Sequence, residues 1–312
     1  MKIVFFGTSS FGLPSLEALK SSPHEITSVV TTLDKPQGRS LKLKASPVKD
    51  WAQKNNIPYL EISKKNIVDL SRLLRELHAD LFVVISFGLI LPKALLDTPK
   101  LMALNVHASL LPKYRGAAPM HWAMMNGDSE TGVAVMRMTE TLDTGDILLQ
   151  MKSELGPAED ILSLENRLGA LGAKALLESI EQLENKKAVF TPQERSRSSY
   201  ARKITKEDGH IQWGRPSAEI FNWFRALKAW PKSYSFYAGK RLIILSMDIL
   251  TEENNKKFAA GTIVSAVPER GILIASEDRL IKVGRLQLEG KKPLEAVEFL
   301  KGFSIKAGQI LE

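Results

Sequence analysis

Asn105 and His107 stand two residues apart in LNVHASLLPKYRGAAP, Leu104–Pro119. In an extended strand that spacing projects both side chains to one face and sends Val106 to the other. A carboxamide beside an imidazole can hold an oxygen on which charge develops and can help to move a proton. At the carboxyl end of a strand in a parallel sheet, such a pair would sit where open α/β sheets bind ligands. Taken alone, the pair reads equally well as two satisfied polar groups in a loop. The following run tips the balance: SLLPKYRGAAP, closed by Pro112 and Gly116, makes a shaped, irregular wall instead of another regular element. A third group is offered by TLDTGDIL, where Asp143 and Asp146 flank Thr144-Gly145. By itself that is a turn signature. A carboxylate brought next to His107 would also set the tautomer of that ring. His24, His78, His121 and His210 have no metal-ligand spacing and read as structural or surface groups.

These residues need a scaffold, and the first half of the chain supplies an alternating one. Strand patterns at Lys2–Gly7, Glu25–Thr32, Asp80–Ser86 and Ala103–Ser109 are interleaved with helical spacing in LPSLEALKSS, SPVKDWAQKN and IVDLSRLLRELH. Ser46 before Pro47 is a helix start. Near-continuous apolar strands alternating with helices predict a parallel sheet covered on both faces. AAPMHWAMMNGD then reads as helix, TGVAVMRM as strand, DTGDILLQMKSEL as turn plus strand, and residues 158–185 as a long helix. KKAVFTPQERSRSSYARKITKEDG is polar, basic and aperiodic, and reads as a linker. Beyond it come a helix with aromatics on its apolar positions (SAEIFNWFRALKAW), several short strand patterns between glycines and polar turns, and a short helix in PLEAVEFLKGF. Short strands at close spacing predict a small barrel or sandwich.

The 312 residues suit two domains, and 44% hydrophobic content is enough for real cores. The absence of cysteine excludes disulfides and thiolate–metal sites and points to a reducing, cytoplasmic setting. The apolar run in MKIVFFGTSSFG is too short for a signal peptide, and no window approaches the roughly 20 apolar residues of a membrane span. The net charge of +8 is uneven: residues 1–190 hold 22 Lys+Arg against 21 Asp+Glu, and residues 191–312 hold 21 against 14. Either this basic third is a solubilising surface or it meets phosphates. LDKPQGRSLKLKASP, Leu33–Pro47, is long for a strand-to-helix connection and carries Lys35, Arg39, Lys42 and Lys44. It is a functional loop or a solvated excursion. GTSSFG lacks both the GxGxxG and the P-loop spacing, so dinucleotide binding has little support.

NVHASLLPKYRGAAP with LDTGDIL resembles the signature of the folate-dependent formyltransferases. FFGTSSFGLPSLEAL, DKPQGRSLKLKASPVK, ISFGLILPKALLD and YARKITKEDGHIQW resemble, at the matching places, the branch of that family that acts on methionyl-tRNA. The resemblance covers essentially the whole chain and is strongest over residues 1–150. It implies a Rossmann-like α/β catalytic domain over residues 1–189 with a mostly parallel sheet. A linker would follow over 190–206, then an OB-like β-barrel that grips tRNA over 207–312. It implies transfer of a formyl group from 10-formyltetrahydrofolate, a co-substrate, to the α-amine of methionine on initiator tRNA for translation initiation. Asn105, His107 and Asp143 match the catalytic trio. Ser109, Leu110, Leu111 and Pro112 match the folate-binding segment, and Ser86, Phe87, Gly88 and Leu89 the wall against the pterin. Arg39 matches the arginine on the loop that meets the tRNA acceptor end, and Lys35, Lys42 and Lys44 of the same basic loop could then hold tRNA phosphates. No metal is implied, and the family habit is monomeric. Lys228–Tyr237 departs from the Pro-Trp-Pro-Gly common at that place in the family. The same trio would also serve a formyltransferase for a small amine, or a hydrolase releasing formate. An RNA-binding protein on a decayed enzyme scaffold would show the basic third without a working trio.

Overall fold

A computed structural model describes residues 1–37, 42–63, 67–254 and 257–312. The chain forms two compact units: residues 1–120, 130–155 and 163–202, and residues 121–129, 156–162 and 203–312.

The first unit carries β1 (Lys2–Gly7), α1 (Leu13–Lys20), β2 (Glu25–Thr32), the short pair β3 (Lys35–Gln37) and β4 (Lys42–Lys44), α2 (Pro47–Lys54), β5 (Tyr59–Ile62), α3 (Ile67–Arg75), β6 (Leu81–Ile85), α4 (Lys93–Leu96) and β7 (Met102–His107). It continues with β8 (Arg115–Gly116), β9 (Glu130–Arg137), β10 (Ile147–Glu154), α6 (Ile161–Glu184) and β11 (Tyr200–Ala201), while α5 (Pro119–Met125), between β8 and β9, falls mostly in the second unit. Seven strands make one sheet in the order β10-β9-β7-β6-β1-β2-β5. Pairs from β5 to β7 are parallel, while β9 is antiparallel to both β7 and β10. The central strands are buried on both faces, which is why they read as unbroken apolar runs. Val4, Phe6, Phe82 and Val84 join Leu70, Leu74, Leu91 and Leu95 in one core cluster on the α3 and α4 side. On the opposite side Gly172 of α6 lies against Val106, so a side chain there would meet the valine at 3.1 Å. Val106 is therefore the anchor of β7, and the alternation of the strand leaves Asn105 and His107 facing away from α6. On their face lie Met136 and Ala134, their partners across β9, with Leu111 and Ile147 packed alongside. At α2, the Ser46 hydroxyl accepts from the Lys49 amide, as the sequence predicts.

The second unit is built on α7 (Ser217–Ala226), β12 (Ser233–Tyr237), β13 (Lys240–Glu253), β14 (Ile263–Val267), β15 (Gly271–Ala275), β16 (Arg279–Leu288), β17 (Leu294–Glu295) and α8 (Ala296–Gly302). The strands run β12-β13-β16-β15-β14, all antiparallel, with β17 on β16. The last four residues close this sheet. Glu312 exchanges two backbone hydrogen bonds with Phe236 of β12, at 2.7 and 3.0 Å, while Gln309 and Leu311 bond to Ile263 and Gly261 beside β14. The result is the OB-like barrel that the family resemblance implies, with Ile244, Met247, Ile272, Ile281 and Phe299 in its core. Two early segments belong here because of specific contacts: Trp122 meets Trp223 edge-on at 6.1 Å, and Arg225 donates to the carbonyls of Gly156 and Glu159 at 2.6 and 3.1 Å.

Where the sequence predicts a linker, residues 191–201 are fastened to the first unit. Thr191 bridges Ile147, and Tyr200–Ala201 pairs in parallel with Arg115–Gly116. This pairing depends on partners about 80 positions away, which local texture does not register.

Candidate active site

Asn105 and His107 lie near the end of β7 on one face, as their spacing predicts. The His107 side chain is 8% exposed and that of Asp143 10%, so water is largely excluded from the pair. His107 Nε2 donates to the Tyr114 carbonyl at 2.9 Å. That bond assigns the proton to Nε2 and leaves Nδ1 facing Asp143 Oδ2 at 3.7 Å, ion-pair distance for a protonated ring. Asp143 sits in the loop between β9 and β10, and its Oδ2 accepts from the Gly116 amide at 2.8 Å. Asn105 Oδ1 is buried and has no hydrogen-bond partner among the described residues. An orphan acceptor of this kind costs about 1–3 kcal/mol unless a donor reaches it. It is a buried acceptor open to a substrate N–H.

Two backbones shape this corner. Tyr114 and Asp143 hold positive φ, 61° and 53°, which non-glycine residues rarely adopt. Gly145 passes so close to Arg137 that a Cβ would fall 1.7 Å from its carbonyl oxygen, so glycine is obligatory there. Gly116 has φ 117° and lies against Ala201, which binds the β8 strand tightly to β11.

The segment Ser109–Pro112 leaves β7 as a loop. Ser109 is fully buried, donating its hydroxyl to the Lys113 carbonyl at 2.7 Å, and Leu111 is buried in the cluster below the site. Gln150 Nε2 holds the Leu111 carbonyl at 2.8 Å. These side chains therefore set the loop's shape. The second segment, Ser86–Leu89, follows β6. Phe87 points into the core, stacked edge-on to Phe6 at 5.4 Å, and its carbonyl accepts from Thr8 Oγ1 at 3.1 Å. Ser86 and Gly88 hold positive φ, 48° and 81°, and are exposed.

Lys35 and Lys42 lie on the β3–β4 pair, which Lys44 ends as an exposed residue. Arg39 lies outside the described residues. The roots of this hairpin are fixed: Thr31 and Ser46 hydroxyls bond at 2.8 Å, and Lys49 donates to Asp34 and Glu61 at 2.8 and 2.9 Å. Those two bonds, Asp34 first, hold the Lys49 ammonium above its ordinary pKa.

Sequence reasoning missed Gln193, Ser199 and Arg115. Ser199 Oγ accepts from the Tyr114 amide at 2.9 Å, and its carbonyl accepts from the Arg115 amide at 2.9 Å. Gln193 and Ser199 sit in polar text with no periodicity, where nothing local distinguishes them from solvated residues, and Arg115 lies in the irregular run after β7 with no local sign of its distant partner. Among the described residues no cluster of three or more His, Cys, Asp or Glu side chains could hold a metal, and no helix is long and apolar enough to cross a membrane.

A parallel α/β unit carrying Asn, His and Asp at one strand end, followed by a small antiparallel barrel, defines a class. A family model described as formyl transferase matches residues 1–180, and one described as formyl transferase, C-terminal domain, matches residues 203–304. The chain belongs to the formyl transferase family. Its curated relatives include a methionyl-tRNA formyltransferase of Caldicellulosiruptor saccharolyticus, 41% identical with both chains covered completely. Another, from Sulfurihydrogenibium sp., is 37% identical over the full length of both. In fold, the chain resembles an N-formyltransferase from Helicobacter canadensis solved with folinic acid and dTDP-3-aminofucose. That match has a TM-score of 0.64 at 20% identity, over 91% of this chain and 99% of the other.

Proposed function

We propose that the chain transfers a formyl group from 10-formyltetrahydrofolate to the α-amine of methionine on initiator methionyl-tRNA. Full-length relatives of that activity support this reading. The observation that carries it is the convergence of Asn105 and His107 from strand β7 with Asp143 from a separate loop, with one buried amide oxygen lacking a donor among the described residues. The folate donor supplies an electrophilic formyl carbon. It would lie against the exposed backbone of Ser86–Gly88 and the loop Ser109–Pro112.

The residues then divide the work. Asn105 turns its carboxamide to the reacting group: Oδ1 accepts an N–H of the amine, and the amide nitrogen donates where oxygen gains charge. A donor so placed is worth about 2.7–4 kcal/mol in the transition state. His107 is held by the Tyr114 carbonyl, so its Nδ1 has a defined direction. As the amine bonds to the formyl carbon, a proton taken up at Nδ1, directly or through water, turns His107 and Asp143 into an ion pair; the ring then returns it to the folate nitrogen as the bond from that nitrogen to the formyl carbon breaks, and tetrahydrofolate leaves. Acid–base help of this kind gives about 10²–10⁴-fold. Asp143 cannot drift, because the Gly116 amide fixes the same oxygen that faces the ring.

The tRNA is assigned to the basic surfaces, residues 191–312 and the hairpin Lys35–Lys44. Leu43, 71% exposed, offers an apolar contact to an unpaired base. We place the enzyme in the cytoplasm as a monomer. The test is formyl transfer to charged initiator tRNA, with and without 10-formyltetrahydrofolate, beside free amino sugars. Transfer to the tRNA alone is expected, and transfer to amino sugars alone sinks the reading. Leu43→Ala is expected to raise KM for the tRNA and leave that for the folate unchanged.

A further inference from the structure

Between Thr191 and Tyr200 every residue is exposed except Gln193, which is half-buried. Its amide is fully used. Nε2 donates to the carbonyls of Asp143 and Gly145 at 3.0 and 2.7 Å, and the Met136 sulfur lies 3.8 Å from the same nitrogen. Oε1 accepts from Arg115 Nε and Nη2 at 3.0 and 2.7 Å. One side chain thus joins the two segments on which the catalytic pair depends. Arg115 stands between Tyr114, whose carbonyl holds His107, and Gly116, whose amide holds Asp143. On the other side Gln193 grips the carbonyl of Asp143 itself, a residue at φ 53°. A conformation of that kind persists where surrounding bonds over-determine it.

We propose that Gln193 is a positioning residue for the formyl transfer: it sets the separation between His107 Nδ1 and Asp143 Oδ2 by tying the Asp143–Gly145 backbone to the Arg115 side chain. The proposal rests on the functional reading above. It makes the stretch 191–201 part of the catalytic apparatus, although no atom of it meets the trio's reacting groups.

The experiment compares Gln193→Ala and Gln193→Glu with the full-length enzyme. The alanine variant is expected to lose about 10²-fold in kcat, the scale of a misplacement of about 1 Å. KM for the folate is expected to stay within about twofold, because the folate segments do not touch Gln193. Amide hydrogen exchange across residues 141–146 is expected to speed up, a readout independent of turnover. Glutamate is nearly isosteric and still accepts from Arg115, but it cannot donate to two carbonyls, so its kcat should fall like that of alanine. Glu181→Gln, at an exposed position on α6, should behave as wild type. Wild-type kcat in Gln193→Ala overturns the proposal, as does full activity in Gln193→Glu. If the alanine variant fails to fold, the glutamate variant decides by itself. A wild-type chain without formyl transfer overturns the functional reading instead, and unchanged exchange in the variants still refutes the clamp.

Discussion

Asn105 is the residue at which function and stability part company. Its buried oxygen has no partner among the described residues, so the folded protein bears a desolvation cost there. Asn105→Ala should lower kcat by about 10²–10³-fold, the effect of removing one transition-state donor. The same change should leave the melting temperature level or raise it. A marked loss of stability in calorimetry would show that the amide is a structural group after all. Asp143→Asn makes a different test. The amide oxygen can still take the Gly116 N–H, but the charge facing His107 is gone. Turnover should drop by about 10²–10⁴-fold while folate binding, measured by titration calorimetry, holds.

Elements are held at their ends by residues far away in the chain. Helix α7 starts after Pro216, which offers no capping side chain. The cap comes from Asp278, before β16, whose carboxylate accepts from the Ser217 amide at 2.7 Å and the Ser217 hydroxyl at 3.2 Å. Burial works to raise the pKa of that carboxyl, but the bonds from Ser217 and Ser276 outweigh it and leave it lowered. A lowered carboxyl stabilises the fold above its unfolded value, 3.8, and the benefit fades as pH falls through the folded value. Asp278→Ala should therefore cost about 1 kcal/mol at neutral pH in denaturant titration. The difference from wild type should close in acid. At the other end of this unit, removing Gln309–Glu312 takes away the bonds that join β12 to β14. The truncated chain should melt earlier and exchange the amides of Phe236 and Ile263 quickly, and protection there would show that closure comes from elsewhere.

At the scale of the molecule, charge and proton balance govern behaviour. The surplus of cations in residues 191–312 predicts tRNA affinity that falls steeply with salt. A flat plot of log affinity against log salt would remove this unit from the phosphate-binding surface. His121 provides a stability signature in the second unit. Burial lowers its pKa from 6.5 to about 4. Between those values the unfolded chain binds the proton and the folded one does not, so stability falls as pH drops through that window, by up to about 3 kcal/mol. His121→Gln should flatten this acid limb in thermal melts, and an unchanged limb would assign the acid sensitivity to other groups.

What the sequence by itself determined were short-range matters: the apolar strands β1, β2, β6 and β7, the Ser46 cap, and the shared face of Asn105 and His107. Those follow from pleat alternation and capping chemistry, which act within a few residues. It also marked Asp143 as a candidate, because a carboxylate in a tight turn is visible locally. Tertiary structure alone decided that Asp143 reaches His107, since the loop after β9 returns through the antiparallel register of β9 on β7. The same holds for the inward turn of Ser109 and Leu111 and for closure of the barrel by its last residues. It holds above all for Gln193, whose four hydrogen bonds join segments 50 and 78 positions away. A contact of that range leaves no periodicity in the residues that make it, so the chain reveals it only when folded.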